Sequence, residues 1–277
     1  MESRIAEALR LKHAPVGLVW ADEVPENAMQ FKEGKWGCVM WLVSAAAKGK
    51  TAAADRRTFG CFGGGVGLGF GNQYRNFPGG EEGFCRFLSS GNIETEEGRR
   101  VAEQVKPFMR EESYDNFLHG ERYVETPEKV RRFVESLPMR DIPAAYVLFK
   151  PLDAVDRDRE NLRTVVFFAD ADQLSALVVL ANYGRGDNEN VSIPYAAGCQ
   201  TLGIYPYREA ERERPRAVVG LTDLSARLYA RKQLGDGLLT FAAPLVLFDE
   251  MEGNVGGSFL ERHTWQALVQ AKEEGQA

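Results

Sequence analysis

"RTVVFFADADQLSALVVLANY", from Arg163 to Tyr183, decides the fold. Its first seven residues, 163–169, are rich in β-branched and aromatic types and read as a buried strand. Asp170 stands where a helix N-cap belongs, and Ala171 to Tyr183 continues as an apolar helix. A strand that passes straight into a helix is the unit of an α/β protein. The neighbouring segments repeat the theme. "AAYVLFK" (144–150), "RAVVGL" (216–221) and "LLTFAAP" (238–244) read as strands, and a helix is expected from about Asp223 to Leu234 after Thr222. Ser258-Phe259-Leu260-Glu261 has the capping-box pattern before an amphipathic run to Lys272. "AVDRDRENLR", from Ala154, reads as a solvated loop or an exposed helix.

Towards the N-terminus, Glu2 to Lys12 reads as a helix that ends before Pro15, and "PVGLVWAD" as a buried strand. "GKWGCVMWLVSAAAKG" reads as a buried helix with Cys38, Trp41, Leu42, Ala45 and Ala46 on one face. Cys85 lies on a short helix or turn. Further helices are expected from about Glu94 to Lys106 and after Thr126, with Pro127 at the first helical position. The expected fold is α/β or α+β, a mixed sheet with flanking helices. The expected division is a helix-rich half, 1–140, with a glycine-rich cysteine loop, and an α/β half, 141–277, that contributes Cys199, both in one compact unit. Each half has a strand near a proline, an apolar helix closing on a glycine, and a later Gly-Cys. That echo fits two related halves packed together, and fits equally the rough order any two α/β halves share.

Composition narrows the function. The chain has 277 residues, a net charge of −6 and 27% charged residues. An acidic balance argues against a dedicated nucleic-acid binder, which carries a basic footprint. No run of about 18 apolar residues suggests a membrane span. The first fifteen residues lack the apolar centre of a signal peptide, so a cytoplasmic location is expected. In a reducing compartment the four cysteines are metal ligands, catalysts or packing rather than disulfides.

The glycines point to a site. Between Gly60 and Gly71 seven of twelve residues are glycine, and Cys61 sits near the start. Such a run either wraps an anion with backbone N–H groups or packs closely around a metal centre. Cys38, Cys61 and Cys199 each follow a glycine, and Cys38 lies near a helix N-terminus, where the dipole favours a thiolate. None of the four cysteines forms a C-x-x-C pair, so the spacing announces neither a zinc ribbon nor a ferredoxin motif.

Four cysteines without histidine at Cys38, Cys61, Cys85 and Cys199 suit a [4Fe–4S] cluster or structural zinc, and the glycine-rich surroundings lean towards the cluster. Gly60, Gly63, Gly64, Gly65 and Gly198 would be its backbone cradle. Positive φ is expected between Gly63 and Gly69. Cys85, in a polar stretch, is expected to be the exposed and exchangeable ligand. The implied role is redox chemistry or electron transfer, with a redox protein or a small molecule as partner. The competing readings are a small-molecule or anion-binding module with structural cysteines, and a zinc-stabilised interaction protein. Oligomeric state is not legible.

Other motifs carry less. "SAAAKGKT" (44–51) ends like a phosphate-binding loop but has Ser44 where the first glycine belongs. The glycines never fall in the G-x-G-x-x-G spacing of dinucleotide folds. The basic residues Lys48, Lys50, Arg56 and Arg57 read as a solvated loop or as facing an anionic ligand. His13, His119 and His263 are scattered. Tyr195, Tyr205 and Tyr207 bracket Cys199 and read most simply as a packed strand edge. At "KWGCVMWLVSAAAKGKT", "RTFGCFGGGVGLGFG" and "PYAAGCQTLGIYPY" the sequence resembles the prokaryotic family called domain of unknown function 169, over most of the chain. The resemblance implies the oxygen-sensitive chemistry of anaerobes and assigns no catalytic residue.

Overall fold

The structure is a computed structural model and describes residues 3–275. Seven strands form one sheet: β1 (Val16–Ala21), β2 (Ala52–Asp55), β3 (Tyr146–Pro151), β4 (Asn161–Ala169), β5 (Val191–Ser192), β6 (Ala217–Gly220) and β7 (Leu239–Pro244). Their order is β2-β3-β1-β4-β7-β6-β5. β1 is paired antiparallel on both sides, with Val16 opposite Pro151 of β3 and Val166 of β4. β5 and β6 run parallel and the other neighbours antiparallel, so the protein is mixed α/β. The five strands expected from composition are present. "AAAD" at β2 escaped that reading because alanine has little β propensity. It pairs Ala52 with Phe149, and its alanines are buried.

The helices are α1 (Arg4–Ala8), α2 (Met40–Ala47), α3 (Phe62–Leu68), α4 (Gly80–Leu88), α5 (Glu96–Val105), α6 (Glu111–His119), α7 (Pro127–Ser136), α8 (Ala171–Tyr183), α9 (Gly198–Leu202), α10 (Ile204–Glu209), α11 (Leu224–Leu234), α12 (Leu245–Gly253) and α13 (His263–Gly275). Asp170 caps α8 as its position suggested: its carboxylate accepts from the Gln173 N–H, and the Gln173 side chain returns the bond. Thr126 and Pro127 open α7 in the same expected way. Ser258 instead caps a single 3₁₀ turn at Phe259–Glu261, and α13 starts only at His263. Glu2, where the first helix was expected to begin, lies outside the described residues.

The chain divides into two units, one of Met1–Phe70 with Asp141–Ala277 and one of Gly71–Arg140. In the first, both faces of the sheet are buried, which explains the near-continuous apolar runs of β1 and β4. Val165, Phe167 and Phe241 point to one face, where α1, α8 and α12 supply Ile5, Leu177 and Phe248. Val166, Phe168 and Ala242 point to the other, where α2, α9, α10 and α11 supply Met40, Leu202, Tyr207 and Ala230. The expected face of α2 is corrected here. Trp41 is exposed, and Met40, Leu42, Val43 and Ala46 are the buried residues. In this unit the chain leaves at Phe70 and returns at Asp141, which form a β-bridge.

The second unit has its own small aromatic core. Tyr74 stacks on Phe84 with ring centroids 3.8 Å apart, and Phe77 packs on Phe84, Phe87 and Phe117.

Candidate functional site

The glycine run is a helix rather than a loop. Cys61 is the N-cap of α3, and its sulfur accepts a hydrogen bond from the Gly64 N–H at 3.3 Å. Positive φ falls at the ends of the run, at Gly60, Gly69 and Gly71, and in the expected window only at its last residue, Gly69. Gly69 ends the helix in the left-handed conformation that glycine tolerates best.

The glycines within the helix serve close packing. A Cβ on Gly64 would lie 2.4 Å from the Phe59 carbonyl oxygen. A Cβ on Gly67 would lie 2.7 Å from the Cys199 carbonyl carbon and 2.9 Å from its Sγ. From the other side, a Cβ on Gly203 would lie 2.1 Å from the Gly67 oxygen. So α3 and α9 meet backbone to backbone, and that contact brings the segments of Cys61 and Cys199 together. Gly63 takes part directly, since its carbonyl accepts from the Cys199 thiol at 3.0 Å. Gly65 is buried in α3, and Gly198 packs against Ala226, Leu221 and Met40.

Cys38 precedes α2 by two residues, and the Met40 N–H is directed at its sulfur. Burial pushes the Cys38 thiol strongly up, and the Cys61 charge adds to the rise. Burial likewise raises Cys61 against the backbone N–H groups of Gly64 and Gly63, which lower it. Cys199 lies well above the ordinary thiol value, first from burial and then from Cys61, Cys38 and Asp223. The expected helix-dipole stabilisation of a Cys38 thiolate is therefore outweighed by desolvation. The three thiols are close enough to act on one another, although 138 positions separate Cys61 and Cys199 in the sequence.

Asp223 completes the group. It caps α11: Oδ1 accepts from the Ser225 and Ala226 N–H groups, and Oδ2 accepts from the Gly198 N–H at 3.2 Å. Its charge raises all three thiols. The sequence reading passed over Asp223 in favour of Thr222. The usable signal was an aspartate directly before the helical run of "LSARLYARKQL".

Cys85 is placed differently. It belongs to α4 in the core of the second unit and is fully buried, not exposed as its polar neighbours suggested. Those neighbours occupy the other face of an amphipathic helix. Burial pushes its thiol up to about 11, Glu82 adds to the rise, and Arg131 opposes it.

The sequence profile of the uncharacterised ArCR family, domain of unknown function 169, matches residues 4–254. The chain belongs to this family. No curated protein and no solved structure matches it at a significant level. The match to the family covers all three coupled cysteines, Cys85 and Asp223.

The remaining motifs of this family member have structural roles. Ser44 is buried in α2 and Lys48 donates to Gln233, so "SAAAKGKT" makes a helix end and the turn before β2 instead of a phosphate loop. His13 bonds the Leu234 carbonyl at 2.9 Å, and His119 faces Asp115 at 3.8 Å. Tyr205 and Tyr207 are buried on α10, a helix and not a strand edge, and Tyr195 is exposed. Among the described residues no three or more His, Cys, Asp or Glu side chains stand close enough to hold a single metal ion. Also among them, no helix is long and apolar enough to cross a membrane.

Proposed function

We propose that the protein is an iron–sulfur protein, with a [4Fe–4S] cluster bound by Cys38, Cys61 and Cys199 and a role in redox chemistry or electron transfer. One observation carries this reading. Three thiols, half-buried at Cys38 and Cys61 and buried at Cys199, and the Asp223 carboxylate are gathered in one place. Ionised, such a set is repulsive. A multinuclear cationic centre resolves that repulsion, because a coordinated thiol is deprotonated outright.

Three further features support it. Iron–sulfur centres are ligated by cysteine thiolates and tuned by backbone N–H groups near the sulfurs. The Gly64 N–H at Cys61 and the Met40 N–H at Cys38 have that orientation. Cluster thiolates stand farther apart than ligands on one ion, since iron and sulfide lie between them. Thiols that interact without converging on one point suit a cluster better than zinc, which draws four donors to about 2.3 Å. An anion-binding module is weaker still, because the Asp223 carboxylate would repel its ligand.

The proposal rests on three cysteines. Cys85 is a core residue of the second unit, and its electrostatic neighbours are Glu82, Arg131, Glu81 and Arg86. One iron would then lack a cysteine ligand from this set, as suits a centre that binds a small molecule.

Anaerobic purification followed by iron, sulfide and zinc analysis tests the reading. Equal iron and sulfide, a brown colour, and loss of both in Cys61→Ser and Cys199→Ser are expected, with iron retained in Cys85→Ser. Stoichiometric zinc without sulfide, or undiminished iron in Cys61→Ser, overturns it.

A further inference from the structure

The surface around the three cysteines is unusually apolar. Trp36, two residues before Cys38, is 59% exposed and packs edge-on against Phe62, the residue after Cys61, with centroids 4.7 Å apart. Trp41 is 47% exposed and contacts Tyr229 of α11. Leu224 and Leu228, one turn apart on α11 and next to Asp223, are 60% and 58% exposed. Ile193 is 65% exposed on the segment leading to Cys199, and that segment is tied to α11 where Thr222 donates to the Pro194 carbonyl. The segments of Cys38 and Cys199, and the helix capped by Asp223, thus each place a large apolar side chain in water, and half-buried Phe62 beside Cys61 packs against Trp36. Scattered exposed hydrophobics are ordinary, whereas a set gathered around one centre marks an interaction surface.

The charge of the same segments is opposite to that of the whole. From Lys32 to Arg57 there are six basic and two acidic residues, and α11 has three basic and none acidic, in a chain of net charge −6. Lys48, at the C-terminal end of α2, reaches Gln233 of α11, so the basic ends of the two helices lie side by side. Lys232 is exposed on the same helix. An apolar centre with a basic rim is the complement of a protein with an acidic rim, and such complementarity steers encounter and sets orientation.

We propose that this face is the docking surface for a small acidic one-electron carrier protein. The inference rests on the iron–sulfur reading and names the partner of that centre. In the step it serves, one electron leaves the reduced carrier and enters the cluster. The carrier is oxidised by one electron and the cluster reduced by one, and no covalent bond forms or breaks. A lipid surface is the less favoured occupant, because the apolar residues come from separate segments around a buried redox site and form no continuous amphipathic stripe.

The test uses the full chain, purified anaerobically, with iron and sulfide measured in every sample. The probe is an acidic [2Fe–2S] ferredoxin, the charge control a basic cytochrome c, and the lipid arm phosphatidylglycerol vesicles. Titration calorimetry at two salt concentrations reads binding for the wild type, Leu224→Ser/Leu228→Ser and Lys48→Glu/Lys232→Glu. These four residues are outside the thiol site, and circular dichroism checks that the variants fold. Salt-sensitive binding of the ferredoxin, weakened tenfold or more in each double variant, with no binding of the cytochrome, is expected. Failure to bind the ferredoxin, binding indifferent to both double variants, or binding to vesicles alone overturns the proposal. Full iron and sulfide without ferredoxin binding removes the docking surface and leaves the cluster. Patch-dependent binding by a chain without iron or sulfide supports the surface and removes the cluster.

Discussion

Gly67 lies against the backbone of Cys199: a Cβ on Gly67 would stand 2.7 Å from the Cys199 carbonyl carbon and from the Gln200 nitrogen. This contact joins the two Gly-Cys segments. It converts the glycine content of α3 into a reason: two helix backbones can approach this closely only where side chains are absent. The cost is a helix of low intrinsic propensity, since each interior glycine loses about 1 kcal/mol relative to alanine. Tertiary packing of α3 offsets that loss.

Gly67→Ala therefore destabilises the protein although alanine favours helices. The methyl group forces α3 and α9 apart, at a cost of about 1–3 kcal/mol typical of overpacking. Gly253→Ala, at the end of α12 where a Cβ meets nothing within 4 Å, is the control and shifts stability little. Urea unfolding of both variants checks this. Equal stability of the two variants would show that the helices are free to separate.

The Cys85 thiol gives the protein an alkaline sensitivity. Its value is raised from the ordinary 9.0 to about 11. Below 9.0 both folded and unfolded forms are protonated and nothing is lost. As pH rises towards 11 the unfolded chain sheds the proton first, so stability falls through that window, by about 2 kcal/mol at most. Cys85→Ala starts less stable because a buried side chain is truncated, but its stability falls less between neutral pH and pH 10.5. Denaturant midpoints at the two pH values decide it, and parallel losses in the two proteins would refute the assignment.

Much of the fold was legible and the grouping of the site only in part. Runs such as "RTVVFFA" reveal their strand because β-branched and aromatic residues leave few alternatives, and Asp170 and Thr126 reveal their helices through capping chemistry. β2 was hidden because three alanines encode packing room instead of strand preference. The nature of the glycine run was hidden for the opposite reason. Glycine's local preference favours a loop, and only the approach of α9, 130 residues away, makes a helix of it. Cys85 was misjudged because adjacent charges in sequence occupy a different face of α4. A preceding glycine marked Cys38, Cys61 and Cys199, but the sequence reading grouped Cys85 with them as a fourth member. That Asp223 joins them depends on a long-range bond to the Gly198 N–H, which leaves no mark in the sequence.

Glu209 sets an acid limit. It is fully buried, and burial alone would raise its carboxyl, but Arg216, Arg212 and Arg208 outweigh burial and hold it below the ordinary range. Arg216 is bonded to both carboxylate oxygens at 3.1 Å. A depressed carboxyl stabilises the fold above its unfolded value, and that stability is lost as pH falls through the folded one. Glu209→Gln removes it at every pH and leaves three guanidinium groups without their common partner. Because those groups are partly exposed, the loss at neutral pH is about 1–3 kcal/mol, below that of a wholly buried pair. The variant also loses less on acidification than the wild type. Thermal unfolding from pH 7 down to well below 4.5 reads both effects, and an unchanged acid profile would assign the sensitivity elsewhere.

Asp223→Asn separates the electrostatic from the structural role of the carboxylate in metal-free protein. The amide keeps one oxygen, which can still cap α11 through the Ser225 and Ala226 N–H groups. The other position becomes an NH₂ facing the Gly198 N–H, where Oδ2 accepted before. Two donors then oppose each other, and the buried N–H loses its acceptor, at about 1–3 kcal/mol. At the same time the negative charge that raises all three thiols disappears. Their thiolate fraction at mildly alkaline pH increases, and alkylation by iodoacetamide, which requires the thiolate, becomes faster. Asp223→Ser also removes the charge but presents no amide donor to Gly198, so it shares the faster alkylation without the opposed donors. Mass-spectrometric mapping assigns the rate to each cysteine. Faster labelling of Cys38, Cys61 and Cys199 with Cys85 unchanged is expected in both variants, and uniform acceleration at all four would report loosened folding in place of a local field.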